Sequence, residues 1–272
     1  MCCEAPKISV LMGVYFRSQD TGALRRSVES ILHQTVSDFE LLICADGSSP
    51  EALAFLESAA QGDPRIRLVN DGGSHTLPSK LNACFHASRG AFLARMDDDD
   101  FSRLDRFEKE LCSLQTHIEA AFVGCCADLV RCGKSAGIWT FPEVPQVRDF
   151  YMTQPYLHPS LMFRREALEA VGGYSEDRHC LLCEDYDLLL RLYAKGFTGR
   201  NLPERLLIYT LPSTAKGSRT IVHRWNETVT RWRRFRELGV LGRAWPYVCK
   251  PLAVGLLPEH LLRRLKERHT RS

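Results

Sequence analysis

The sequence predicts an α/β fold: a Rossmann-like, mainly parallel sheet flanked by helices, followed by a basic helical C-terminal appendage. Three observations carry this. Continuous apolar, β-branched runs recur through the first hundred residues, as expected for strands covered on both faces. Helical patterns separate them, the arrangement of βαβ units. From Thr220 onward the pattern is helical and rich in arginine.

Taken in order, "KISVLMGVY" (Lys7 to Tyr15) is the first buried strand. Leu24, Val28, Ile31 and Leu32 then share one helical face. "FELLICA" (Phe39 to Ala45) is a second buried strand, stopped by the turn "DGSSP". A helix from about Glu51 to Ala60 leads to the short strand "RIRLV". Leu81, Cys84 and Phe85 mark another helix before the strand "AFLARM". Residues 1–102 thus read as a half-domain of nucleotide-binding type. Beyond them, "AAFVGCCADLV" and "SAGIWTF" form a hairpin around "RCGK", and "HPSLMF" is a short strand. "RREALEAVGGY" is a helix closed by Gly172-Gly173. "EDYDLLLRLYAKGF" is a helix ending at Gly196, with "RLLIYT" the last strand. There is no internal repeat or low-complexity linker, so residues 1–215 read as one domain and 216–272 as its helical appendage.

Composition narrows the function classes. The chain has 272 residues, 44% apolar and 25% charged, the profile of a globular protein with a sizeable core. A net charge of +3 does not argue for nucleic acid, and no nucleic-acid motif accompanies it. The 11 cysteines fall in apolar patterns or in the doublets Cys2-Cys3 and Cys125-Cys126, which suits small core residues in a reducing compartment. The lone "CLLC" of Cys180 and Cys183 lacks the second pair that a zinc site needs. With no signal-peptide pattern and no apolar run of ~20 residues, the expectation is a cytoplasmic protein.

Three acidic clusters sit where an open parallel sheet binds ligands, beyond the carboxyl ends of strands. Asp46 follows the second strand, Asp97 to Asp100 follow the fourth, and Glu184 with Asp185 opens a helix. Each has a plain structural alternative. Asp46 suits an Asp-Gly turn. Asp100, before "FSRLDRF", suits a helix cap on a solvated loop. Glu184 and Asp185 complement a helix dipole. The four consecutive aspartates still need an account, since unit charges at ~4 Å repel by about 1 kcal/mol even in water. Either they splay into solvent or a cation sits among them.

The ordered set "KISVLMGVY", "SVESILHQTVSDFELLICADGSS", "KLNACFHASRGAFLARMDDDDFSRLDR", "HPSLMFRREALEAVGGYSE" and "CEDYDLLLRLYAKGF" resembles glycosyltransferase family 2, over roughly Lys7 to Tyr209. The resemblance implies a GT-A fold with a nucleotide-sugar half at about 1–102 and an acceptor half at about 103–215. It implies a metal-dependent inverting transferase taking a sugar from a nucleotide-sugar, a UDP-sugar in most relatives, to a glycan or lipid-linked glycan in surface polysaccharide synthesis. By the same resemblance Asp46 reads the base. Asp97 and Asp99 occupy the DxD positions that hold Mn²⁺ or Mg²⁺, and Asp98 stands between them where a small residue is more usual. Lys80, Asn82 and Arg95 are phosphate or ribose contacts, with surface positions as the alternative. Asp185 is the general base and Glu184 supports it. His158, Gly173 and Tyr174 shape the acceptor pocket, unless His158 is structural and the glycines a plain C-cap. Two positions depart from the family: Ala45 replaces a frequent acid, and "YTLPSTAKGSR" replaces an Arg and a His, for which His223, Lys216 or Arg219 are candidate substitutes.

The tail is strongly basic. In "HRWNETVTRWRRFR" the arginines 224, 231, 233, 234 and 236 face a single Glu227, interleaved with Trp225, Trp232 and Phe235. "PEHLLRRLKERHTRS" repeats the pattern. Residues 220–272 suit either an anionic membrane surface, at the inner face of the plasma membrane, or a packed appendage with solvated arginines. Two rival functions remain: a sugar nucleotidyltransferase, for which the Gly-rich basic loop after the first strand is lacking, and a silent nucleotide-sugar-binding protein, which needs no base.

Overall fold

The computed structural model describes residues 5–212 and 220–255. Strands β1 (Ile8–Gly13) and β2 (Phe39–Cys44) are buried along their whole length, which is why their sequences are apolar without alternation. They pair in parallel, Leu11 opposite Leu42, and β2 pairs in parallel with β3 (Ile66–Val69). On its other side β1 pairs in parallel with β4 (Phe92–Arg95), Leu11 opposite Arg95. Helices α1 (Gly22–Leu32), α2 (Pro50–Gly62) and α3 (Leu77–Ala87) connect these strands. Ser49 and Thr76 cap α2 and α3, each with a proline in the first turn that needs no N–H partner. Because β1 has β2 on one side and β4 on the other, the connections diverge there and open a crevice at the strands' carboxyl ends.

The second half mixes directions. The nine strands of the described residues form one sheet, ordered β3-β2-β1-β4-β8-β6-β9-β5, with β7 paired on β6. Here β5 is Phe101–Ser102, β6 Ala120–Arg131, β7 Lys134–Trp139, β8 Met162–Arg164 and β9 Thr198–Thr210. The β6–β7 hairpin turns at Cys132 and Gly133, both with positive φ, the condition for a two-residue turn matching strand twist. β9 is longer than "RLLIYT" because Pro203 and Glu204 bulge out between Leu202 and Arg205, leaving the pairing with β6 to continue on both sides.

The remaining helices are α4 (Arg106–Thr116), α5 (Arg165–Ala170), α6 (Glu184–Ala194), α7 (Ile221–Glu237), α8 (Leu241–Val248) and α9 (Lys250–Gly255). One core lies between the sheet and α1, α2 and α4. The other joins Leu42, Phe122 and Phe163 to α3, α5, α6 and the tail residues Phe235, Ala244 and Val248. The described part of the basic tail is therefore packed into the body, and several of its arginines are engaged there, while Arg236 and Arg243 are exposed. Arg231 is buried, donates to the Tyr151 carbonyl at 2.8 Å and pairs with Glu227. Arg234 pairs with buried Asp187, and Arg233 with Asp177. Residues 256–272, with the second basic stretch, lie outside the described residues.

Two further expectations change. Asp100 does not cap a helix: α4 begins at Arg106, and the Asp100 carboxylate instead accepts the Thr210 N–H of β9 at 2.8 Å. His158–Ser160 is a single 3₁₀ turn rather than strand, since Pro159 has no N–H for a ladder.

Candidate active site

The loop after β4 is tied down through two of its carbonyls and one of its carboxylates. Ser27 of α1 donates to the Asp97 carbonyl at 2.6 Å, and the Thr210 hydroxyl to the Asp99 carbonyl at 2.6 Å. The Tyr15 N–H, just past β1, donates to Asp98 at 3.2 Å. The four carboxylates differ in their surroundings: Asp100 is buried, Asp97 and Asp98 are half-buried, and Asp99 is exposed. Partial desolvation, reinforced by the charges of Asp97 and Asp98, pushes Asp99 up to about 7. Burial and Asp97 push Asp98 upward as well. The Asp100 carboxyl is pushed to about 9 by burial and Asp97, and its second oxygen is buried with no partner. Arg95, 1% exposed, counters this by pairing with Asp97, and its guanidinium also donates to the Leu11 and Met96 carbonyls. Carboxylate oxygens are the ligand type a hard divalent cation takes, but among the described residues no three of the four aspartates bring theirs within 4.8 Å of one another.

Lys80 is not a surface residue: it is 1% exposed. Its ammonium donates to the Val14 carbonyl at 2.6 Å and to the Asp46 carbonyl, joining the ends of β1 and β2. The Asp46 carboxylate accepts the Asp71 N–H at 2.8 Å. Burial alone would raise the Asp71 carboxyl, but contacts with Asp46, Ser79, and the N–H groups of Gly73 and His75 outweigh it and hold it at about 2. Ligand atoms of Cys44, Asp46 and Asp71 lie within 4.8 Å of one another. That set suits a hard cation less well, because burial holds the Cys44 thiol neutral, at about 11, and the Asp71 oxygens already have donors. Beside Asp46 lies a cavity of about 240 Å³ walled by Ile43, Leu53, Leu56 and Leu68.

Across the crevice, Glu184 and Asp185 open α6. Burial and the neighbouring Asp185 charge push Glu184 up to about 7, and one of its oxygens is buried without a partner. The Asp185 carboxylate accepts the Tyr186 N–H at 2.7 Å. Below it, buried Asp187 is clamped between Arg191 and Arg234, each at 2.7 Å, which fixes the first turn of the helix. His158 is buried and meets the Tyr174 hydroxyl at 2.9 Å; burial and the Arg95 charge hold its pKa well below the usual value, so it is neutral. Asn82 grips the Tyr174 backbone from both ends of its amide, accepting the N–H at 2.8 Å and donating to the carbonyl at 2.9 Å. Its side chain thereby positions the 173–174 loop. Gly173 is required twice over: its φ is +73°, and a Cβ would lie 2.6 Å from the Asn82 oxygen. The Gly172-Gly173 pair also closes α5, through N–H bonds to the Glu169 and Leu168 carbonyls.

Two phenols connect the acid clusters. Burial raises the Tyr209 hydroxyl, and Asp97, Asp100, Asp99 and Asp185 all push it further. Tyr174 is raised by burial, pulled back by Arg95, and pushed again by Asp185, Asp97 and Glu184. Both hydroxyls lie in the combined field of the β4 loop and the α6 terminus.

The profile of glycosyl transferase family 2 matches residues 9–172. The putative glycosyltransferase EpsE of Bacillus subtilis is 30% identical over 262 residues, covering 96% of this chain and 93% of that protein. The chain belongs to glycosyltransferase family 2. The amylovoran biosynthesis glycosyltransferase AmsE of Erwinia amylovora is 27% identical, covering 73% of this chain and 74% of its own length. Among solved structures, S. aureus TarS in complex with UDP-GlcNAc superposes with a TM-score of 0.67 at 16% identity, covering 90% of this chain and 73% of that one. The mannosyltransferase PcManGT of Pyrobaculum calidifontis, in complex with GDP-Man and Mn²⁺, gives 0.62 at 16% identity, covering 99% and 82%. The fold is GT-A, and the protein is a glycosyltransferase.

For this family 2 glycosyltransferase, sequence reasoning passed over three residues that the fold brings to the site. Asp71 follows β3 in "NDGG", a turn-rich run that was its only signal. Tyr15, whose N–H holds Asp98, and Tyr209 had none. His223 contacts the Leu182 carbonyl at 2.9 Å, beside the segment leading into α6; Lys216 and Arg219 lie outside the described residues.

Proposed function

We propose that this glycosyltransferase transfers a sugar from UDP to a hydroxyl of a glycan or lipid-linked glycan with inversion, using a divalent metal, in surface polysaccharide synthesis. One observation carries the reading. The loop after β4 carries four successive aspartates, the first paired with buried Arg95, and a second acid pair, Glu184 and Asp185, opens α6. A binding module has no use for that second pair. Asp97 and Asp99 would hold Mn²⁺ or Mg²⁺, which supplies positive charge to the departing diphosphate. Asp46 accepts the N–H of the base, beside the apolar-walled cavity of β2 and β3. Asp185 accepts the acceptor's hydroxyl proton as that oxygen attacks the anomeric carbon; the bond from that carbon to the phosphate oxygen breaks, and UDP leaves on the opposite face. Glu184 and neutral His158 keep the surroundings of this base in place. The amylovoran and chondroitin synthesis names among the relatives support a polysaccharide acceptor.

Exposed Ile221, Trp225 and Trp232 on α7, with Trp245 on α8, support contact with an anionic membrane. No helix among the described residues is long and apolar enough to cross one. The direct test of the mechanism is Asp185→Asn. It should lower transfer by about a hundredfold to ten-thousandfold while leaving metal-dependent UDP binding unchanged. Near-normal transfer by this variant would remove Asp185 as base.

A further inference from the structure

We infer that α7, the first helix of the basic tail, positions the base: Asn226 and Thr230 hold the segment that presents Asp185. The inference rests on the transferase reading above and adds two positioning residues to it, both beyond the residues that the family profile matches.

Residues 175–183, which run into α6, form no helix or strand, so their carbonyls need donors from elsewhere. One face of α7 supplies them. Asn226 donates to the Arg178 carbonyl at 3.0 Å, Thr230 to the His179 carbonyl at 3.0 Å, and His223 to the Leu182 carbonyl at 2.9 Å. Spacings of three and four residues put these side chains in one row along the helix. Arg234 extends the row to Asp187 in the first turn of α6, and Arg233 reaches Asp177 before the segment's first turn. The Thr230 hydroxyl also meets the Cys183 thiol at 3.5 Å, and Arg231 stacks on Tyr186, 4.7 Å from the ring centroid. Asp185 thus stands between two residues that α7 touches directly. Leu182 shows that these contacts, rather than local preference, shape the segment. Its φ is +67°, backbone that a non-glycine residue keeps only where its surroundings over-determine it, and its side chain is 68% exposed. Asp185 borders a cavity of about 320 Å³, which Arg224, Glu227 and Arg231 of α7 also line. Those side chains are engaged within the fold, Arg231 with Glu227 and Arg224 with the Pro251 carbonyl. One helix therefore fixes both the base and a wall of the space that it faces. The β4 loop is held instead by Ser27, Tyr15 and Thr210, so loosening α7 should spare donor binding.

The test is Thr230→Val on the full chain, which keeps the shape of the side chain and removes its hydroxyl. Asn226→Leu is the second variant and Thr230→Ser the rescue. UDP release from UDP-glucose and UDP-GlcNAc with Mn²⁺, water serving as acceptor, reads the step that needs the base. Its kcat should fall about tenfold to a hundredfold in Thr230→Val and Asn226→Leu and return in Thr230→Ser, while calorimetric affinity for UDP with Mn²⁺ stays at the wild-type value. Amide hydrogen exchange should rise in residues 177–187 and stay unchanged in the β4 loop. In the Asp185→Asn background Thr230→Val should cause no further loss, because a residue that acts through the base then has nothing to position. Wild-type kcat in both variants, unchanged exchange in residues 177–187, or a loss of the same size in the Asp185→Asn background overturns the inference while the transferase reading stands. If the wild type does not bind UDP with Mn²⁺, the transferase reading itself has failed.

Discussion

The two sides of the site are built in different ways. The carboxylate edge comes from segments that follow directly on β1, β2 and β4, so its side chains occupy the turns that their own strands dictate. The side facing it collects Gln154, Asp185, Arg224 and Lys250 from four separate stretches, held by helix packing. Strand ends fix a site by register. Packed helices fix one by their cores, and a substitution far from the chemistry can therefore disturb the second side while sparing the first.

Phe235→Ala tests that difference most severely. Phe235 is fully buried in the core that joins α7 to the body, and its truncation should cost about 3–5 kcal/mol. Denaturant unfolding should show this loss, and at temperatures where the variant is folded it should still bind UDP with metal while transfer falls. Equal loss of both would mean that the two sides are not separable. Gly173→Ala comes next: left-handed backbone alone costs about 1–3 kcal/mol, and the added Cβ also displaces Asn82 from Tyr174. A fall in transfer with little change in UDP affinity is expected from paired kinetic and binding measurements.

Beneath both sides, Arg106 and Glu110 form a fully buried pair at 3.7 Å, with both Glu110 oxygens lacking a hydrogen-bond donor. Burial, against the pull of Arg106, pushes Glu110 from 4.5 up to about 8. Since the folded state holds this proton more tightly than the unfolded chain, the contribution is present in full below pH 4.5 and is lost as pH rises through about 8. Glu110→Gln should flatten the decline in melting temperature over that window, and an unchanged slope would show that Glu110 does not titrate there. The smallest effect belongs to Trp232→Ala. At 45% exposure it should alter stability by less than about 0.5 kcal/mol yet weaken sedimentation with anionic liposomes.

How far the sequence could be read follows the same division. β1 and β2 announce themselves as unbroken apolar runs, and the aspartates after β4 are visible as a motif because they are contiguous. Asp100 looked like a cap because "DFSRLDR" has the composition of a helix start; the short strand β5, which exists only through pairing with β9, intervened. Lys80 and Arg95 read as phosphate or ribose contacts, or else as surface positions, because nothing local shows that their charges end on main-chain carbonyls and Asp97. The arginines of α7 looked like a solvated face because Asp177 and Asp187 are about fifty positions earlier in the chain. Contacts that depend on register or packing leave no trace in spacing.

The central claim is that the β4 loop binds a nucleotide-sugar through a divalent metal, and calorimetric titration of UDP and UDP-sugars with Mn²⁺ or EDTA, for the wild type and Asp97→Asn, tests it most directly. Binding that requires Mn²⁺ and falls by about tenfold or more in Asp97→Asn is the predicted result. UDP affinity that is indifferent to EDTA and to Asp97 would contradict it.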